Sequence, residues 1–285
     1  MKSSNSTIQI FPICDFRIKL SHFLDFLTDF IEATNNQTQL PNHNCFIELL
    51  TRIYINLQGI EVLLPKLDAD RRFKLSINLL FRSVVDDLIN VYYLRSCTVI
   101  NEAEQTSLGN ELSILHKEFL SSFKKLIEAE ALCYDKDPVL ILKDTERQII
   151  KENPNLYDNG KLKTNKQIRE TSNTQLQEEL KDFTGHFISE TQKLKHIGKI
   201  MGWIENPLIG EFKYLSQFHH YTQKSFQFIL TESSFDIDTY NKCLISLFDL
   251  ISSYFTFVEL ADKEKLKGRF DEMHKVASLE IHRHN

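Results

Sequence analysis

An all-α fold, a single bundle of about eight or nine helices with one polar inserted excursion, follows from three features of the 285-residue chain. Glycine and proline together number only 14, roughly 5% against a usual ~12%, too few for the turn every ~8 to 12 residues that a sheet protein needs. Phenylalanine contributes 21 residues and aromatics 11%, so large apolar side chains are plentiful. They also recur at 3.6-residue spacing in long runs, the period of a helix face turned to a core.

The first run uses Phe16, Leu20, Phe23, Leu24, Leu27, Phe30 and Ile31, and the Asn-rich stretch from Thr34 to Asn44 ends it. A second, from Phe46 to Leu64, takes Pro65 as its stop, because proline lacks the donor a helix interior requires. The third spans about Arg72 to Cys97. A fourth, from about Ser107 to Leu132, sets Leu108, Leu112, Leu115, Phe119, Phe123 and Leu126 on one side. A shorter helix opens at Pro138, since proline suits a first turn. Residues 153–174 carry Pro154, Gly160 and several Asn with few apolar residues, so a polar loop or excursion is expected there. Helical patterns resume over Gln175–Trp203, Leu208–Leu230 and Asp236–Leu260, and residues 262–285 read as a peripheral helix or tail. The pattern places all of residues 1–285 in one helical domain.

Composition removes several classes of function. The 34 basic and 39 acidic residues leave a net charge of -5, which is not the footprint of a general nucleic-acid binder, so any such contact is local. The start of the chain lacks a basic region followed by an apolar core, and no run of about 18 apolar residues occurs, so secretion and membrane spanning are not expected. Five widely spaced cysteines without a CxxC pair fit reduced thiols in a cytoplasm. No phosphate-binding loop, dinucleotide turn, nucleophile elbow or HExxH helix is present, and neither a metal site nor a cofactor is expected.

Polar residues on otherwise apolar helices are the candidates for chemistry. In the third run Ile77, Phe81, Val84, Leu88, Val91 and Tyr92 share one face. Opposite them Asn78, Arg82, Asp86 and Asn90 form an i, i+4 ladder, with Leu79, Val85, Ile89 and Tyr93 in between. A helix apolar nearly all round is central, so its charges are paired or face a cleft. Arg82 and Asp86 are placed to pair with each other. In EFKYLSQFHHYTQKSF the residues Lys213, Ser216 and His220 line one face, Lys213 and His220 being two turns apart. Arginine and histidine five apart also occur at Arg17/His22 and Arg269/His274, a number that chance supplies.

The strings RRFKLSINLLFRSVVDDLINVYYL and FKYLSQFHH resemble the arginine-plus-acid helix and the later "arginine, aromatic, Leu-Ser, two residues, histidine" motif of a bacterial family of uncharacterised helical proteins associated with the HEPN superfamily. The resemblance implies a cytoplasmic helical bundle, a homodimer, and RNA as ligand or substrate. It further implies membership of a group that includes metal-independent ribonucleases of toxin and antiviral defence systems. His220 is then the general base or acid, Lys213 and Arg82 steady the phosphorane charge, Asp86 orients Arg82, and Ser216 belongs to the substrate-binding or orienting set. Lys213 stands where the family has arginine, and an ammonium does not reproduce the two-pronged grip of a guanidinium. Binding without cleavage is compatible with every residue named. The alternative is a non-enzymatic interaction or dimerisation module, in which the same residues form a network fixing helix register.

Overall fold

The computed structural model describes residues 13–35, 44–67, 69–99, 105–133, 138–183, 185, 187–202, 207–218, 234–255 and 266–271. These form two compact units, one of Met1–Val91 with Glu205–Asn285 and one of Tyr92–Ile204. The described residues are overwhelmingly helical, as the apolar periodicity requires.

The first unit contains α1 (Ile13–Asn35), α2 (Asn44–Leu67) and the part of α3 (Phe73–Val99) up to Val91. Helices α9 (Pro207–Ser216) and α10 (Ser234–Phe255) complete it, with a helical turn over residues 266–271. The seven apolar positions expected to face inward on α1 are all buried. On α2 the register holds too, with Ile53, Leu57 and Ile60 fully enclosed. The helix runs on through Pro65 to Leu67, two residues beyond the expected stop. The proline ring forfeits a single bond near the end of the helix, where the loss is small. α3 is buried on nearly every side, as its composition implies. Its Phe81 ring stacks on Tyr240 of α10 at 4.2 Å, and Phe16 of α1 closes on the same pair, 6.2 Å from Phe81 and 5.8 Å from Tyr240.

The second unit contains α4 (Gln105–Cys133) and α5 (Pro138–Glu152), followed by a 3-10 turn at Pro154–Leu156 and strands β1 (Tyr157–Asp158) and β2 (Lys161–Leu162). Helices α6 (Asn165–Arg169), α7 (Thr174–Glu179) and α8 (Glu190–Met201) end it. β1 and β2 pair antiparallel across Asn159 and Gly160, whose φ angles of 48° and 74° are those of the two-residue turn that Asn-Gly favours. The expected excursion over 153–174 therefore has defined structure. Thr164 and Ser189 each close a capping box, with Gln167 and Gln192, at the starts of α6 and α8. The helical pattern read from Gln175 to Trp203 is interrupted between Glu179 and Glu190, because Ser189 starts a new helix.

Candidate functional site

The polar ladder of α3 begins one turn earlier than the sequence reading placed it, at Lys74. Lys74 Nζ pairs with Asp236 Oδ2 of α10 at 2.6 Å, both side chains being almost wholly enclosed. Tyr214 of α9 donates to the other oxygen of the same carboxylate. One turn on, Asn78 Oδ1 accepts from the Tyr240 hydroxyl at 2.6 Å. One turn further, Arg82 Nε donates to Ser216 Oγ at 3.0 Å while its Nη1 pairs with Asp86. Ser216 in turn donates to the Phe212 carbonyl at 2.6 Å. The Arg82 guanidinium also lies 4.0 Å from the Phe212 ring, a cation–π contact.

Arg82, Asp86 and Ser216, expected together from sequence, are thus in contact across 134 residues of chain. The Arg82 side chain is 12% exposed and that of Asp86 38%, so the group sits just under the surface with its acid towards water. Lys213 is exposed one turn before Ser216, and its carbonyl accepts from Gln217. His220 lies outside the described residues, as does His219. The bonds of Ser216 and Asp236 nevertheless fix both described ends of the chain that flank residues 219–233.

Sequence reasoning missed Lys74, Tyr214, Asp236 and Phe212. For Lys74 a signal existed, since it extends the i, i+4 ladder by one step. Nothing in the pattern marked Tyr214 or Asp236, which are ordinary surface types until a partner helix covers them. Two carboxyls nearby are also buried. Asp87 meets Arg52 at 3.2 Å, yet burial, only partly offset by Arg52, pushes its carboxyl up to about 6. Burial also raises Glu211 on α9.

A second polar cluster lies inside the unit of Tyr92–Ile204. Glu111 of α4 receives Arg169 Nε at 2.5 Å and Nη2 at 2.9 Å, and the Tyr93 hydroxyl at 2.6 Å. Arg169 Nη1 reaches the Phe183 carbonyl at 2.6 Å. Lys117 donates to Asn165 of α6, and burial pulls its ammonium down to about 8. His196 of α8 stands edge-on to Tyr93 at 5.7 Å, and burial lowers its imidazole to about 4.

These two buried groups respond to acid with opposite signs. His196, at about 4 when folded against an ordinary 6.5, leaves the unfolded chain binding the extra proton between those values, so stability falls as pH drops through that window. Asp87, at about 6 against 3.8, binds its proton first in the folded chain, so its contribution rises as pH drops from 6 to 4. Each is worth roughly 3 kcal/mol at the far end of its window. Hydrogen-exchange protection of α8 is expected to fall between pH 7 and 4.5, and His196→Phe to flatten the fall. Unchanged pH dependence in that variant would show that His196 is not the group responsible.

Among the described residues no three His, Cys, Asp or Glu side chains cluster as metal ligands, and no helix is long and apolar enough to cross a membrane. The fold and site together define an all-α helical protein with a partly buried guanidinium–carboxylate–hydroxyl group. Comparison with protein-family models, curated proteins and solved structures gives no match.

Proposed function

We propose that the protein is a HEPN-like, cytoplasmic, homodimeric helical protein that binds RNA along the outer side of α9 and, through His220, cleaves it without metal, in a defence or toxin system. The observation that carries the reading is the 3.0 Å bond from Arg82 to Ser216, which joins the two sequence blocks on which the resemblance rests. With Nε on Ser216, Nη1 on Asp86 and its face on Phe212, Arg82 acts as a positioning residue holding α9 against α3. Lys213, exposed, is the phosphate contact. His220, seven residues after Lys213 in the chain, is assigned the proton transfer.

The test incubates the purified chain with total RNA and with tRNA, with and without chelator, beside His220→Ala and Lys213→Glu. Chelator-resistant cleavage is expected, lost in His220→Ala at an unchanged melting temperature. Lys213→Glu should weaken RNA binding about tenfold at low salt and reduce the salt slope by about one. Absence of any RNA binding by the wild-type chain at low salt would end the reading. A second reading, a non-enzymatic interaction module with the ladder as a register clamp, is favoured by the small exposure of Arg82. It expects Arg82→Ala to destabilise and His220→Ala to change nothing measurable with RNA.

A further inference from the structure

α4 turns the wrong face inward. Its inner side carries Glu111, Ile114 and Lys117, held by Arg169 and Asn165 of α6. Its apolar stripe is left facing out, with Phe119 64% exposed, Phe123 38% and Leu126 53%. From Leu112 the stripe runs at alternating steps of three and four residues, through Leu115, Phe119 and Ser122 to Leu126 and Ala129, while Leu108, one step earlier, is buried. That 3.5-residue period is the seam one helix offers to another helix. An exposed patch of this kind on a soluble chain marks an interaction surface.

We propose that this seam pairs with α4 of a second copy of the chain, antiparallel, about a two-fold axis between Leu120 and Ser121. In that register large meets small and apolar meets apolar, Phe119 against Ser122 of the second copy and Leu126 against Leu115. Charge decides the occupant. Glu118, half-buried with its Oε1 accepting from the Ile188 amide at 2.7 Å, and Lys125 flank the seam seven residues apart, so the two-fold sets the remaining Glu118 oxygen of each copy towards Lys125 of the other and makes the attractive pair twice. Lys125, exposed beside the Phe187 ring at 5.7 Å, sits at the rim where such pairs form. A parallel pairing sets the two Glu118 on opposite flanks of the seam and forms no Glu118–Lys125 pair. The seam belongs to the unit of Tyr92–Ile204 and α9 to the other unit; it names the dimer interface of the reading above, and loss of RNA binding by itself does not overturn it.

Sedimentation of the full chain from about 1 to 100 µM tests it. The expected mass is twice 33.4 kDa, falling to the single-chain mass in Phe119→Glu/Leu126→Glu with helix content unchanged. Lys125→Glu alone should weaken dimerisation at least about tenfold, and Glu118→Lys added to it should restore the dimer. The charge exchange decides the matter if the double glutamate variant fails to fold. A wild-type chain that stays monomeric, a dimer indifferent to these changes, or one that the exchange does not rescue overturns the proposal.

Discussion

Arg169→Met is expected to destabilise the unit of Tyr92–Ile204 by about 3–5 kcal/mol, the range for stripping one partner from a buried ion pair. Glu111 and Arg169 are both enclosed, and three bonds converge on the Glu111 carboxylate, from Arg169 at 2.5 and 2.9 Å and from Tyr93 at 2.6 Å. Burial alone pulls the Arg169 guanidinium down, but the bonds and charge of Glu111 outweigh it and the net direction is up. Arg169 is therefore held as a cation on Glu111, and removing it strips one partner from a fully enclosed pair. Denaturant unfolding followed by circular dichroism measures the loss. Glu111→Leu combined with Arg169→Met should cost much less than the two single changes summed, because an apolar pair has no stranded charge. A single-variant loss under about 1 kcal/mol would show that water reaches the carboxylate.

Lys74→Met should cost the other unit about 2–3 kcal/mol, somewhat less than the first case although the pair is equally dry. The difference comes from Asp236, which sits in the first turn of α10, where the positive end of the helix dipole partly steadies a carboxylate. Tyr214 continues to donate to it. Since that carboxylate ties α9 and α10 to α3, the same variant should also lower hydrogen-exchange protection of α9. Stability loss without that local effect would place the role of Lys74 elsewhere than at the α9–α10 anchor. Asp236→Asn should cost a similar amount, because it leaves the enclosed Lys74 ammonium without its counter-charge.

How far the sequence could be read differs from helix to helix. On α1 the apolar period singles out one face, and every residue it names is buried. On α4 the same rule fails: of Leu108, Leu112, Leu115, Phe119, Phe123 and Leu126 only Leu108 is buried. The spacing was right and the phase was not, because the polar side chains of α6 satisfy Glu111 and Lys117 and draw the opposite face inward. The ladder on α3 was legible as an anomaly, polar residues on a helix otherwise apolar all round. Its partners were not, since Tyr214 and Asp236 carry no periodic mark.

From the sequence alone come the helical class, the extent of α1 to α4 and the existence of a ladder on α3, all consequences of local spacing and of how few turn formers the chain contains; α9, expected over Leu208–Leu230, ends at Ser216. Tertiary structure alone decided which helix answers Lys74, Asn78 and Arg82, that Ser216 and Phe212 join Asp86 on Arg82, and that α4 leaves its apolar seam outward. A period records which residues share a face. Whether that face is buried depends on the groups that other parts of the chain bring to meet it, and those are distant in sequence.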